Sequence, residues 1–496
     1  MSTEMSTEMS TERPASPELS GTLLTVGPGT PGSLRSFRRA LIAVVLVFAL
    51  LSGALAALNL LTGPRLLDFA VDTTGVVSQA NQRLVIETNR QLGEVSADQV
   101  SVQPAAAVTV DTAGDSIVVS FPQPLAYNTD YRVSVTGLSS VSSGPATDLA
   151  VSFRTDEPSV FYLSRGVSPA SGGAKAPDRI LRTTIGPGET TTAFEAPYIQ
   201  EFVSIGSELA VVTLNADFTN TLNRVDSDGR SAPLTLPGVG SVQDLQAASV
   251  QSLLGFRFTS DPQAPGADSG PGYENTLFVF ELATGVARPV EGLDGAPVQA
   301  VEWGFMPFRA ELVARLYDTT LLLINPLAPT EPIPLGQYSA ITAFAPDGRR
   351  LAVSDATTQV VLDLSQGTEN AVAPTTVPGT TRYTAGLDFL AGGDGFVQRL
   401  AEFDPQTGVA RQYLTRVSKG DETVIYTPAS ARESIVGFQV SPNDQYVAVQ
   451  IVPNRDTEIS DGYPLQAQAT DATTLFVTIA TGQITRSVVG FAATWP

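Results

Sequence analysis

The side chains best suited to recognising a ligand are concentrated in two polar insertions, at residues 261–273 and 453–473. A third, shorter insertion lies at 164–178, and all three interrupt runs of short apolar segments. Insertions on the loop side of a rigid scaffold are a natural place for binding, so we predict that the binding residues are Asp261, Asp268, Tyr273, Arg455, Asp456, Glu458, Asp461 and Tyr463. The sequence leaves open the alternative that these are merely tolerated surface loops.

Catalytic chemistry is limited by what the sequence lacks. The 496 residues contain no cysteine and no histidine, which excludes disulfides, thiolate catalysis, Cys/His zinc sites and every triad that needs imidazole. The GPGTPG at residues 27–32 fits a dinucleotide-binding pattern, but its prolines are incompatible with the strand and helix that this motif requires. We therefore predict no catalytic residue, no metal site and no cofactor.

One acidic stretch, Asp226-Ser227-Asp228-Gly229, resembles the start of a calcium loop, since hard cations are bound by clustered carboxylates. The remaining ligands of such a loop are missing from the sequence. Asp-Gly is also a common hairpin turn. We interpret this stretch as a turn.

The charge of the chain argues against nucleic acid as a partner. Acidic residues outnumber basic ones 50 to 29, which gives a formal net charge of −21. A surface of this sign repels phosphate backbones. Only Lys175 and Lys419 are lysines, and this preference for arginine, with abundant alanine and valine, suggests a high-GC bacterial genome of the actinobacterial type.

The elements that hold the insertions follow from a repeat in the second half of the chain. Residues 340–371 predict strands at 341–344, 351–354 and 359–364, with a Pro346-Asp347-Gly348 turn between the first two. With a fourth strand this is the content of one β-propeller blade. Glycine-containing turns recur at a period of about forty residues, and we place them between third and fourth strands at Gly188, Gly229, Gly285, 325–329, Gly367, Gly408 and Gly482.

Seven turns predict a seven-bladed propeller over residues 159–496, because a unit of this size cannot bury its apolar face alone. The GFAATWP that follows the last turn is predicted to supply the innermost strand of the first blade and so close the ring. The stretches APDGRRLAV (345–353) and SPNDQYVAV (441–449) resemble the TolB-like and WD40-like propeller repeats of bacteria. This resemblance implies the same propeller fold.

Seven short alternating segments precede the propeller, within residues 66–156, and such a count is typical of an Ig-like sandwich. The predicted strands are 67–71, 83–88, 100–103, 108–111, 116–121, 131–136 and 149–154. The segment FPQPLAYNTDYRVSVTGL, with the later LAVSFRT, resembles the bacterial Ig-like domains of S-layer and other surface proteins. The resemblance implies a spacer or adhesive module, in which we interpret Tyr131 as a core or corner tyrosine.

The N-terminal part predicts a membrane anchor. Residues 40–62 are uncharged and apolar, and as a helix they span roughly 35 Å, enough for a bilayer core. Arg35, Arg38 and Arg39 precede this span, so the positive-inside rule keeps residues 1–39, which read as disordered, in the cytoplasm. A cleaved signal peptide is the alternative, because residues 54–56 form an A-x-A site.

Together these patterns predict an all-β protein: an Ig-like β-sandwich plus a seven-bladed β-propeller, with one N-terminal transmembrane helix. The function we expect is a single-pass, extracellular binding or scaffold protein of the bacterial cell envelope. Its partners would be the lipid bilayer, through residues 40–62, and an envelope protein or glycan. The alternative is a carboxylate-dependent glycan hydrolase or lyase, which would need two acids about 5 to 10 Å apart in one pocket.

Overall fold

The computed structural model of the chain describes residues 32–60, 62–141, 144–167, 174–249, 252–264, 272–328, 330–356, 358–393 and 395–495. They fall into two units. The first consists of the chain up to Gly63 with the segment Ser142–Pro145, and the second consists of the rest. All the strands lie in the second unit.

Helix α1, Gly32–Leu60, is the main element of the first unit. Its segment Ser36–Ala54 is long and apolar enough to cross a membrane. The helix begins well before residue 40, so the prediction of disorder for residues 1–39 is wrong for residues 32–39. No proline or glycine follows Gly32 until Gly53, and the helix therefore extends N-terminally through the arginines. Residues 1–31 of that predicted tail lie outside the described residues.

The second unit begins with two antiparallel sheets that enclose one core, and we call residues 66–154 the two-sheet module. The sheet orders are β1-β2-β5-β4 and β3-β6-β7, with a single helical turn, α2 (Gly75–Ser78), between the first two strands. The seven predicted strands are all present, with ends that differ by about one or two residues. The strands are β1 Leu66–Val71, β2 Gln82–Thr88, β3 Val100–Gln103, β4 Thr109–Ala113, β5 Ser116–Phe121, β6 Asp130–Leu138 and β7 Thr147–Arg154.

Alternation along these strands directs one set of side chains inward. Leu84, Ile117 and Phe121 are fully buried in the shared core. Tyr131 stacks on Phe153 with ring centroids 5.8 Å apart, and its hydroxyl oxygen accepts a hydrogen bond from the Ala126 N–H at 3.1 Å. The interpretation of Tyr131 as a core or corner tyrosine is confirmed.

Seven four-stranded antiparallel sheets follow among the described residues. We number them sheet 1 to sheet 7 and give the strands of each from the innermost outward. Sheet 1 contains β35 Phe491–Thr494, β8 Ser159–Ser164, β9 Asp178–Thr184 and β10 Thr191–Ala196; sheet 2 contains β11 Ile199–Ile205, β12 Glu208–Leu214, β13 Asn220–Val225 and β14 Ser231–Pro233; sheet 3 contains β15 Gly240–Ala247, β16 Leu253–Ser260, β17 Thr276–Glu281 and β18 Val286–Pro289.

The remaining sheets continue in the same order. Sheet 4 contains β19 Ala300–Phe305, β20 Leu312–Leu316, β21 Thr320–Ile324 and β22 Ile333–Gln337; sheet 5 contains β23 Ala340–Phe344, β24 Arg350–Asp355, β25 Thr358–Asp363 and β26 Thr368–Val372; sheet 6 contains β27 Thr381–Phe389, β28 Gly395–Phe403, β29 Ala410–Ser418 and β30 Asp421–Tyr426; sheet 7 contains β31 Ser434–Val440, β32 Tyr446–Val452, β33 Thr473–Thr478 and β34 Ile484–Val489.

The sheets form a closed ring, which makes this part of the chain a β-propeller. Innermost strands of successive sheets touch, from β11 through β15, β19, β23 and β27 to β31. The predicted closing strand is present, since β35 pairs antiparallel with β8 in the register Phe491↔Leu163 and Thr494↔Phe161. β35 also contacts β32 and β33 of sheet 7, while β8 contacts β11 of sheet 2.

Six of the predicted turns lie between third and fourth strands, but the prediction for Gly408 is wrong. Gly408 lies between β28 and β29, which are the second and third strands of sheet 6. The turn between its third and fourth strands contains Lys419 and Gly420 instead. β28 and β29 are each nine residues long. The turn between the third and fourth strands of this sheet therefore comes later in the sequence than the glycine period predicts.

The position of a strand within its sheet explains its polarity. Middle strands are covered on both faces by neighbouring sheets, so they read as continuous apolar runs; β17, for example, buries every residue from Thr276 to Phe280. Outermost strands face solvent, and all three residues of β14 are exposed.

The innermost strands share one further feature, a shift of register of the kind that a β-bulge produces. A bulge bends its strand and changes the direction of the side chains beside it. The shifts lie between Ile199/Glu201, Gln243/Gln246, Ala300/Glu302, Ile341/Ala343, Thr384/Gly386, Ile435/Gly437 and Phe491/Thr494.

Candidate binding face

One end of the ring carries all three insertions. In a four-stranded antiparallel sheet, the loop between the second and third strands leaves the same end as the connection to the next sheet. The segments 164–178, 261–273 and 453–473 lie between the second and third strands of sheets 1, 3 and 7, as predicted. We call this end of the ring the insertion face. Residues 168–173 and 265–271, and with them the predicted binding residue Asp268, lie outside the described residues.

Two predicted binding residues of the 261–273 insertion make contacts within the chain. The Asp261 carboxylate accepts a hydrogen bond from the Gln263 N–H at 2.9 Å and shapes the start of the loop. Tyr273 is half-buried and packs edge-on against Phe278, with ring centroids 4.9 Å apart. The sequence pattern identified a loop, but it did not show that this tyrosine turns back into the core.

Asp461 and Tyr463 belong to a buried network that attaches the 453–473 insertion to sheet 1. The Arg165 guanidinium donates to Asp461 at 2.6 Å, and the two side chains are only 3% and 4% exposed. The same guanidinium lies over the Tyr463 ring, 3.5 Å from its centroid. It also donates to the carbonyls of Ile199 and Gln200, so one arginine connects sheet 7, sheet 1 and sheet 2.

Asp178 is the second centre of this network. Its fully buried carboxylate accepts from the Tyr463 hydroxyl, from the Lys175 ammonium at 2.5 Å and from the N–H groups of Gly166 and Ile199. Burial, together with the hydrogen bond to Asp178, raises the pKa of Tyr463 far above its ordinary value. With every acceptor in use, this cluster holds the loop in place and offers no open coordination to a ligand.

Arg455, Asp456 and Glu458 are exposed, as a binding role requires. They lie in or next to a 3-10 turn, Arg455–Thr457, that begins at Asn454, whose side chain accepts from the Asp456 N–H. Asp456 pairs with Arg432 at 3.0 Å, and both side chains are about two-thirds exposed. Such an exposed pair contributes little to stability. Arg455 lies at the edge of a cavity of about 390 Å³ between sheets 6 and 7.

The structure adds a feature that the sequence did not predict, a set of exposed apolar side chains around the insertion face. Aromatic side chains are enriched at protein interaction sites. These side chains lie at the end of a second strand, in the loops between second and third strands or in the connections between sheets. They include Tyr198, Phe218, Val239, Leu293, Tyr317, Phe403, Val409 and Ile459.

Phe218 is the most informative of them because its backbone is strained. Its φ is 66°, a left-handed conformation that costs a bulky residue about 1–2 kcal/mol. The neighbouring Asp217 carboxylate holds the turn by accepting from the Thr219 N–H and hydroxyl, while the phenyl ring is 66% exposed. Packing does not explain a phenylalanine at this position, and strained exposed residues are often functional.

Tyr317 occupies the corresponding loop of sheet 4 and is 60% exposed. Its hydroxyl accepts a hydrogen bond at 2.8 Å from the side-chain amide of Asn275, at the end of the loop that carries the 261–273 insertion. The ring is therefore held in place although it faces solvent. A fixed, exposed aromatic of this kind suits recognition, since little conformational entropy is lost on binding.

Three buried acids with raised pKa values, Glu201, Asp388 and Asp444, bear on the hydrolase alternative. Burial raises the pKa of Glu201 from 4.5 to about 7, and its carboxylate accepts from the Leu245 N–H and from Gln466 on the insertion face. Burial likewise raises the pKa of Asp388 from 3.8 to about 7. Asp388 accepts from the Val440 N–H at the end of β31, which is the opposite end of the ring. Glu201 and Asp388 therefore do not form one catalytic pair. Burial also raises the pKa of Asp444, whose charge adds to the rise at Asp388.

Residues 226–229, where the sequence raises a calcium alternative, form a turn held by the Asp226 side chain. The Asp226 carboxylate accepts from the backbone N–H groups of Asp228 and Arg230. The Arg230 N–H is the main cause that lowers the pKa of Asp226. This is the predicted hairpin turn. Across the part of the chain that the structure describes, no group of three or more acidic side chains is arranged to hold a metal ion.

Comparisons with known proteins give a likeness of shape only. No protein-family model and no curated protein matches the chain. Among solved structures, the β-propeller domain of the Trilobed protease from Pyrococcus furiosus matches with a TM-score of 0.42 and 12% identity, over 64% of this chain and 93% of that one. The Pyrococcus horikoshii acylaminoacyl peptidase matches with a TM-score of 0.41 and 12% identity, over 66% of this chain and 52% of that one. At these scores the likeness carries no weight for function, and the propeller assignment rests on the strand order and ring closure.

Proposed function

We propose that this chain is a membrane-anchored binding or scaffold protein of the bacterial cell envelope, whose insertion face binds a protein or glycan partner. The observation that carries the proposal is the ring of exposed apolar side chains, above all Phe218 and Tyr317. Aromatic residues are enriched at the centres of protein interfaces and contribute most of their binding energy.

The proposed organisation has four parts: a cytoplasmic tail over residues 1–39, a transmembrane helix over 40–62, an Ig-like domain over 66–156 and a seven-bladed propeller over 159–496. The sheet orders β1-β2-β5-β4 and β3-β6-β7 support the Ig-like assignment, because constant-type Ig domains pair strands ABED and CFG in this way. The Tyr131 hydroxyl, bonded upstream to Ala126, matches a tyrosine corner. Seven four-stranded sheets in one ring support seven blades.

The anchor and its orientation are supported by composition. Segment Ser36–Ala54 is apolar enough to span a bilayer, and Arg38 and Arg39 lie near its N-terminal end, where the positive-inside rule places the cytoplasm. The Ig-like domain would then act as a spacer that presents the propeller outside the membrane.

The spacer is fastened to the propeller by specific contacts. The side chain of Gln445 accepts from the Tyr127 N–H at 2.6 Å, and Asn443 donates to the Leu125 carbonyl at 3.0 Å. Tyr127 also stacks on Trp495, with centroids 6.5 Å apart. These contacts support a scaffold in which the two parts of the second unit hold a fixed relation.

The acids that the structure describes do not give the hydrolase alternative better support. Asp388 and Asp444 interact with each other, but backbone N–H groups hold both carboxylates at the end of the ring away from the insertions. Glu201 and Asp388, the carboxyl groups with pKa values near 7, contact opposite ends of the ring. Glycosidase chemistry needs two acids flanking the same bond. The binding role therefore has the stronger support.

Proximity labelling on intact cells tests the proposal. The full-length protein is compared with a triple variant of the insertion face, Phe218→Ser with Tyr317→Ser and Phe403→Ser. We expect enrichment of a defined envelope partner to fall by about tenfold or more, since aromatic anchors commonly contribute about 2 kcal/mol or more.

A control removes exposed apolar side chains from the opposite end of the ring, by Phe308→Ser with Leu327→Ser and Ile484→Ser. This control should keep the partner. Equal loss in both triple variants would reject the insertion face as the site. Release of glycan fragments that depends on the intact protein, without a recovered partner, would favour the hydrolase alternative.

A further inference from the structure

The cavity between sheets 6 and 7 is lined by positive charge in a protein of strongly negative net charge. Its volume is about 390 Å³, within the range of small-ligand sites. It opens on the insertion face, and Arg399 and Arg455 line it together with Ala385, Leu400, Ala401, Gln412, Ser434, Ile435 and Val436.

A comparison of strand registers in two sheets shows that Arg399 lacks a neighbouring carboxylate. In sheet 4, the bulge lies between Ala300 and Glu302, and Glu302 pairs with Arg315 on the second strand. The guanidinium of Arg315 donates to the Glu302 carboxylate at 3.1 Å. A carboxylate on the inner strand thus neutralises the arginine beside it.

Sheet 6 repeats this arrangement without the acid. Its bulge lies between Thr384 and Gly386, and Gly386 pairs with Arg399. Glycine therefore stands at the position that corresponds to Glu302, and the arginine is retained. In sheet 3 the arginine is again neutralised, because Arg257 forms an ion pair with Asp244 at 2.5 Å.

Arg399 is bonded only to neutral groups. It donates to the carbonyls of Ile435 at 2.7 Å and Ala385 at 3.0 Å, and neither it nor Arg455 forms an ion pair with any residue that the structure describes. Burial, and next the positive charge of Arg455, lower the pKa of Arg399. Two uncompensated guanidinium groups at one cavity favour an anion, and planar carboxylates fit such groups well.

We propose that this cavity binds a carboxylate group of the ligand, which takes the place that the Glu302 side chain occupies in sheet 4. Arg399 holds the carboxylate from the cavity wall, and Arg455 closes over it from the 453–473 insertion. The inference rests on the proposed binding role of the insertion face and names the chemistry that this face recognises.

Titration of the full-length protein in detergent, followed by saturation-transfer NMR at constant ionic strength, tests the site. N-acetylglutamate α-amide represents an acidic side chain and D-glucuronate represents a uronic acid, with N-acetylglutamine amide and methyl glucoside as their neutral counterparts. We expect one carboxylate to bind with a Kd on the order of 1 mM and its neutral counterpart not to bind. The carboxylate with the lower Kd shows whether the ligand's carboxylate belongs to an acidic side chain or to a uronic acid.

Three variants locate the binding. Arg399→Gln should raise the Kd about tenfold or more, as loss of a charge-assisted hydrogen bond does. Arg432→Gln, which changes a nearby exposed arginine that is already paired with Asp456, should leave the Kd within about twofold. Gly386→Glu should abolish binding, because it restores the carboxylate seen in sheet 4.

Gly386→Glu also separates loss of binding from loss of folding. A Cβ at Gly386 would meet only the Phe438 ring, at 3.4 Å, and the new carboxylate should pair with Arg399, so the fold should be retained. The proposal is wrong if neither carboxylate binds, if Arg399→Gln binds as the native protein does, or if inorganic phosphate competes equally in all variants. If the carboxylate titration fails, proximity labelling can still recover a partner whose binding depends on Phe218. The two proposals can therefore fail separately.

Discussion

Replacing Glu201 by glutamine should make the protein more stable, and the gain should appear only as the pH rises. Burial raises the pKa of Glu201 from 4.5 to about 7. A carboxyl with a raised pKa is favoured in its neutral form by the fold. Ionisation of Glu201 therefore lowers the free energy of unfolding. This destabilisation is absent below pH 4.5, grows between pH 4.5 and pH 7, where the carboxyl ionises in the unfolded chain before it does in the folded one, and is complete above pH 7.

The magnitude follows from the size of the shift. A difference of about 2.5 pH units, at about 1.36 kcal/mol per unit, gives about 3 kcal/mol. Glutamine reproduces the neutral acid: it still accepts from the Leu245 N–H and from Gln466, and Oε1 of Glu201, which is buried without a partner among the described residues, is replaced by a neutral group.

Thermal unfolding of the native protein and of Glu201→Gln at pH 4 and pH 8 measures the gain in stability. With about 2.1 cal/mol/K of unfolding entropy per residue, about 3 kcal/mol corresponds to a Tm difference of about 3 °C for a unit of this length. We expect almost no difference at pH 4 and the full gain at pH 8. Asp388→Asn, at the other buried acid, should behave in the same way. A glutamine variant that is equally destabilised at both pH values would refute the reasoning.

Three further variants test the packing, each by urea unfolding. Tyr463→Phe removes a donor from the buried carboxylate of Asp178 and should cost about 1–3 kcal/mol; a cost below about 0.5 kcal/mol would mean that water replaces the hydroxyl. Trp495→Ala should cost about 3–5 kcal/mol, because the indole is buried at the ring closure, and an unchanged midpoint would show that closure does not depend on it. Tyr131→Phe should cost about 1–2 kcal/mol, since it leaves the Ala126 N–H without its acceptor, and an unaltered free energy of unfolding would reject the corner contact.

The fold could be predicted largely from local patterns. Period-two alternation and turn residues located all seven strands of the two-sheet module and the first three strands of sheet 5, because those signals depend only on neighbouring residues. Gly408 was misplaced because sheet 6 has long second and third strands, and a glycine period does not reveal strand length. The helix start at Gly32 was missed because charged residues were treated as its limit.

The candidate site could be predicted only in part. The insertions were located correctly, yet the fate of each side chain depended on partners far away in sequence. Asp461 pairs with Arg165, 296 residues distant, and no single-sequence pattern joins them. The exposure of Phe218 and the absence of an acid opposite Arg399 were equally out of reach, since both depend on which strands pair and in what register.

The closure of the ring by β35 has a consequence for how the protein acquires its structure. Sheet 1 receives its innermost strand from the far end of the propeller sequence, and Arg486 donates to the Gly186 carbonyl across 300 residues. Contacts between such distant segments slow folding, because the intervening chain must be ordered before they can form. During synthesis β8 therefore presents an open edge until β35 is available, and an unpaired edge strand can pair with other chains. We expect the interval before closure to be the stage at which this protein is most prone to aggregate.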